Sequence, residues 1–191
     1  YKMDRAHFNW KCFLLEEAEP KKKLLPLDTI DYLIKVYARN PKGPIVLKRG
    51  YFDYDEFGKE YQKEFENTYA SYIIPAQLII LNTKTTDGNI VALVNAIVHE
   101  IYHFNQHMIW KAGGSGRLKF VGDYKLPKGF TKDNLDKLDF YKLVTFWLKT
   151  YGYENSPFEK DAFSFADSHT QEAINKIVAR EKDIKSGKIK A

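Results

Sequence analysis

Residues 94–108 read VNAIVHEIYHFNQHM. Apolar residues recur at helical spacing from Asn89 to Trp110, and Gly113-Gly114 supplies a stop, so the spacing predicts one helix over 89–110. Three of the chain's five histidines, His99, His103 and His107, fall on it, with Glu100 between them. His99 and His103 are four residues apart and share a helix face, offset by about 40°. Glu100 points about 100° around the helix from His99. A helix this apolar must be largely buried. Two histidines and a glutamate side by side inside it are costly unless something satisfies them.

A metal ion satisfies all three. Two imidazoles at this spacing can bind one zinc ion with bonds of roughly 2.0–2.1 Å. Glu100, off that face, can reach a metal-bound water as a base without being a ligand, which is the division of labour in the HExxH pattern. The blander alternative is a polar stripe facing solvent or a hydrogen-bond network. His107 lies about two turns from His99, too far to share one ion, and is expected at the border of the site. It does not stand where the HExxHxxGxxH pattern places its third histidine, and Gln106 occupies that pattern's glycine position.

The third ligand must come from another segment. His7 and His169 are available, but YGYENSPFEKDAFSFA (151–166) offers more. There Glu159 opens a long helix predicted over 156–182, so two helices can close a His₂Glu site with one position open to water. Ser156 at N-cap, Pro157 at N1 and Glu159 at N3 also fit a capping box, which competes for the same carboxylate. Ligation by Glu159 is the expectation, with Asp161 as substitute ligand or supporting carboxylate. An oxyanion stabiliser is needed as well. Tyr151, Tyr153, Tyr102 and His169 are candidates, and Tyr153 is favoured for its closeness to Glu159.

HEIYHFNQ resembles the HExxHxxQ box of the gluzincin-like zinc metallopeptidases, and ENSPFEKDAFSFA is similar to their downstream third-ligand segment. The resemblance implies a zincin-like metallopeptidase domain of α+β class. It implies His99, His103 and Glu159 as Zn²⁺ ligands and Glu100 as the catalytic base. It also implies a small mixed sheet whose edge strand lies beside the active-site helix. One position departs: many relatives carry an Asp four residues after the ligand Glu, where this chain has Phe163. Asp161 or another carboxylate would have to support the ligating histidine instead.

Further out, IIPAQLIILN (73–82) reads as the clearest strand, with Pro75 placing its start on a sheet edge. A peptide substrate could add to such an edge as another strand. Upstream, HFNWKCFLLEE (7–17) reads as a strand and TIDYLIKVYAR as a helix capped by Asp28. PIVLK (44–48) reads as a strand and DEFGKEYQKEFENTYA (55–70) as a weak helix. GSGRLKFVGDYKLPKGF (114–130) reads as loops around one short strand. TKDNLDKLDFYKLVTFWLK (131–149) completes a helix-rich second half. The chain is therefore read as one domain: N-terminal elements over 1–70, a core over 71–182, and a basic tail over 183–191 expected to be flexible.

At 191 residues, 44% hydrophobic and 29% charged, the composition is globular. No apolar run approaches the roughly 18 residues of a membrane span, and no basic-then-apolar leader is visible. Cys12 alone excludes an intramolecular disulfide framework and a cysteine zinc ribbon, and a cytoplasmic location is favoured. The net charge of +5, with Lys182, Lys185, Lys188 and Lys190 in the tail, keeps a nucleic-acid contact in view. Solvated surface explains those lysines more simply. The leading expectation is a zinc peptidase, an endopeptidase by its resemblance, acting on a peptide or protein. The alternatives are a catalytically inert zinc-binding module of a larger assembly, or a nucleic-acid-associated protease docked by its basic tail.

Overall fold

The computed structural model describes residues 25–39, 47–52, 62–63, 65–84, 89–113 and 128–190, with 118 and 126. Its elements are α1 (Leu27–Tyr37), β1 (Lys48–Phe52), β2 (Ala70–Ile73), β3 (Leu78–Asn82), α2 (Ile90–Gly113), α3 (Lys132–Asp136), α4 (Phe140–Tyr151) and α5 (Pro157–Lys185). This is an α+β architecture with a small mixed sheet and a helix-rich second half.

The sheet order is β1-β3-β2, with β1 parallel and β2 antiparallel to the central β3. Side chains alternate across β3 as the pleat requires. Ile79 and Leu81 join the main core under the helices, while Ile80 faces a smaller cluster with Phe52, Phe65 and Ile73. The predicted strand over 73–82 is in fact a hairpin. Pro75 sits in the turn Ile74–Gln77, closed by a 3.3 Å bond from Gln77 N to Ile74 O, and Gln77 takes φ +48°. Proline fixes its own φ and cannot donate to a ladder, so the chain reverses there. β3 is the central strand, and β2, one segment earlier than expected, is the edge strand paired antiparallel with it.

α2 is the central helix, buried on nearly every side from Leu93 to Met108. Asn89 starts it, its Oδ1 accepting from Ala92 N. Leu93, Val94, Ile97, Val98, Ile101 and Phe104 supply its apolar surface, and β2, β3, α1, α4 and α5 all pack against it. α5 runs antiparallel to it: Asn95 reaches Asp167 and Thr170, while Gln106 reaches Phe158. Asn105 serves α1, donating to Tyr37 O and accepting from Arg39 N, so a buried polar residue finishes a neighbouring helix.

Several boundaries differ from the sequence expectations. The helix over 131–149 is broken into α3 and α4, because Asp139 caps Lys142 N and starts a new helix. Asp28 lies inside the first turn of α1 and pairs with Arg180 at 2.9 Å; Pro26 holds the N-cap position. β1 begins at Lys48, where PIVLK was expected to end; 44–46 lie outside the described residues. Of the helix predicted over 55–70, the described residues Gln62, Lys63 and Phe65 are helical, the chain turns at 66–67, and Ala70 already belongs to β2. The strand expected over 7–17 and most of 114–130 lie outside the described residues. α5 extends to Lys185, past the start expected for the tail. Among the described residues no helix is long and apolar enough to cross a membrane.

Candidate metal centre

His99 Nε2 lies 3.2 Å and His103 Nε2 3.3 Å from the same oxygen, Oε2 of Glu159. All three side chains are buried, and their ligand atoms lie within 4.8 Å of one another. Tetrahedral bonds of about 2.0–2.1 Å put ligand atoms about 3.3 Å apart, so two edges of the triangle already have the size a zinc-like ion needs. Burial by itself would raise the Glu159 carboxyl, but the imidazoles of His103 and His99 outweigh it and hold the group well below the usual carboxylate range. The competing capping box is absent. Ser156 makes no side-chain cap bond, its Oγ has no partner among the described residues, and Glu159 turns inward to the histidines.

His103 is firmly set. Gln106 Nε2 donates to Phe158 O at 3.1 Å and to Asp161 Oδ2 at 3.2 Å. A carbonyl can only accept, so this fixes the amide and turns Oε1 toward His103 Nδ1, 2.8 Å away. Nδ1 must then carry a proton, and in the neutral ring Nε2 presents its lone pair to the centre. The Phe158 ring stacks on His103 at 4.2 Å and 9°, which fixes the plane of the imidazole.

That proton count tests the fit of an ion. If Glu159 were only a hydrogen-bond acceptor, one oxygen would take two ring N–H groups, and His103 would have to donate through both nitrogens as an imidazolium. A divalent cation among the three atoms satisfies them with neutral rings, and a two-nitrogen, one-oxygen donor set suits it. The buried group fits a metal ion.

His99 is held differently. Its ring stands perpendicular to His103, and Phe163 lies tilted against it at 4.4 Å. Its Nδ1 is buried with no partner among the described residues.

Glu100, next along α2, turns to the sheet: its Oε2 accepts from Tyr72 N at 2.6 Å. That bond shows that Tyr72's backbone N–H faces away from β3, so the outward-facing backbone positions of β2 fall at Ala70 and Tyr72. The carboxylate of the residue next to His99 is thus held at the sheet edge.

The remaining sequence candidates separate. Asp161 accepts from Tyr102 at 2.9 Å and from Gln106, and so supports His103 through that amide; it is not in the ligand triangle. Tyr153, 56% exposed, stands before α5 with its ring 6.3 Å from Phe163. Tyr151 stacks on Trp147, and His169 sits with Tyr37 and Phe165, its Nδ1 on Phe165 O. His7 lies outside the described residues. His107 is a core residue, not the border residue expected: it is stacked on Phe140, with Nδ1 2.9 Å from Tyr72 Oη. Burial, then Lys111, lowers its pKa to about 4, so the neutral ring accepts the phenolic proton. The sequence reading missed Gln106, Asn105 and Tyr72. For Gln106 the available signal was its place three residues after His103, on the same helix side.

Compared with known proteins, the chain matches no family model, no curated protein sequence and no solved structure.

Proposed function

We propose that this chain is a zinc-dependent peptidase of the zincin kind, with His99, His103 and Glu159 as ligands and Glu100 as general base. The observation that carries the proposal is the buried His-His-Glu triangle with a second carboxylate beside it on the same helix, tied to an edge strand. The donor set by itself also suits ferrous iron. Glu100 favours zinc, because a carboxylate one residue from a ligand serves hydrolysis better than oxygen chemistry. Zinc bound there would supply Lewis-acid activation of a water and of the scissile carbonyl.

The chain's own residues do the rest. Gln106 and Asp161 keep the His103 proton on Nδ1 and its lone pair on the site. Glu100 takes up the proton released in hydrolysis and can return it to the leaving amine. The hydrogen bond from Tyr72 N holds that carboxylate in place, and an extended peptide can lie along the outer edge of β2, beginning at Ala70. Tyr153, exposed before α5, is the candidate to donate to the developing oxyanion.

A catalytically inert zinc module is the second reading. It is favoured by the unpartnered Nδ1 of His99 and by an aromatic side chain, Phe163, packed against that imidazole. Elemental analysis of protein purified without added metal, with hydrolysis of an unstructured protein assayed with and without chelator, tests both readings. About one zinc per chain with chelator-sensitive cleavage is expected. Zinc without cleavage supports the inert module, iron in its place overturns the peptidase reading, and no metal overturns both.

A further inference from the structure

The two histidines of the triangle are supported unequally. His103 donates from Nδ1 to an amide that is itself held by a carbonyl and a carboxylate. His99, 4% exposed, has a buried Nδ1 with no acceptor among the described residues, and the Phe163 ring lies tilted against its imidazole at 4.4 Å. A ligating imidazole ordinarily gives its other N–H to an oxygen, which fixes its tautomer and makes its lone pair more basic. Without that bond, His99 gains nothing by keeping Nε2 free for the metal, and the N–H it must then carry on Nδ1 is buried unsatisfied.

We infer that Phe163 makes His99 a weakly anchored ligand, so that the centre exchanges its metal and fills according to the free ion concentration. This rests on the reading of His99, His103 and Glu159 as metal ligands and adds a regulatory property to it. Phe163 is on α5 four residues after Glu159, and its ring faces the His99 imidazole, so a shorter side chain with an oxygen at 163 points the same way. The position is 40% exposed and tolerates a polar group.

The test is zinc affinity and zinc release, measured on the full chain by competition with a chromophoric chelator. Phe163→Asn and Phe163→Asp are expected to bind zinc about 10- to 100-fold more tightly and to release it more slowly, the range that such supporting hydrogen bonds command. Phe163→Leu should behave as wild type. The Asn variant separates hydrogen bonding from an added ligand charge. If wild type binds zinc and Phe163→Asn binds it no better, the inference is overturned while the metal site stands. If wild type binds no zinc at all, the metal reading and this inference both fall. A direct check needs no variant: ring ¹⁵N and ¹H shifts of His99 in zinc-loaded wild type should report a non-hydrogen-bonded Nδ1–H, and a hydrogen-bonded one would refute the proposal even if the variants did not fold.

Discussion

Glu100 Oε2 and the backbone nitrogen of Tyr72 are 2.6 Å apart, joining the residue between His99 and His103 to the edge strand. Glu100→Gln keeps that bond, because the amide oxygen still accepts from Tyr72 N. It removes the group that takes up a proton. The variant is expected to fold and hold zinc as wild type does while peptide hydrolysis falls by about 10²- to 10⁴-fold. Unchanged hydrolysis would remove Glu100 from the chemistry.

Glu159 and Asp161 are separated by their partners. Glu159→Ala deletes an anionic ligand and leaves two imidazoles, so stoichiometric zinc should disappear from the purified protein. Asp161→Ala only loosens Tyr102 and Gln106, which keeps Phe158 O, and a loss of about 10-fold in zinc affinity is expected. The reverse order in elemental analysis would make Asp161 the ligand.

Gln106→Leu strips His103 of its acceptor and Phe158 O of its donor at similar side-chain volume. Zinc affinity should fall by about 10- to 100-fold. In the zinc-loaded protein, ring ¹⁵N and ¹H shifts should show that the Nδ1–H of His103 has lost its hydrogen bond. A variant with unaltered shifts would show that the Phe158 stack alone sets the ring.

His107 makes stability depend on pH independently of the metal. Its folded pKa is lowered to about 4, while the unfolded chain takes up a proton near 6.5. Stability is therefore lost as pH falls from 6.5 toward 4, by about 2 kcal/mol at pH 5, and levels off below that range. Urea unfolding in the presence of chelator at pH 7 and pH 5 measures it. The double variant Tyr72→Phe, His107→Leu should lose about that much of the difference, and an unchanged pH slope would assign the dependence to other groups.

What could be read in the sequence followed the strength of local signals. α2 and α5 are long and strongly patterned or well marked at one end, and both are where the spacing predicted them. The pairing of Glu159 with the histidines was reached because a buried helix must compensate its polar residues, whatever their distance in sequence. The hairpin at Pro75 was misjudged as one strand: IIPAQLIILN is apolar on both sides of the turn, and only the ladder with β1 shows which half is central. The break at Asp139 was hidden because Leu135, Leu138 and Leu143 keep a helical rhythm across it. His107 looked like part of a metal stripe, since nothing local reveals that Tyr72 lies opposite. Gln106 needed both helices in place before its amide had anything to orient.

Asn105 closes the end of α1 from within the helix that carries the ligands, donating to Tyr37 O and accepting from Arg39 N. Cutting the chain after Arg39 and discarding the first part would remove both partners of that amide and strip α2 of an apolar neighbour. A fragment that keeps His99, His103 and Glu159 on their native support therefore includes α1, although all three residues lie beyond position 90.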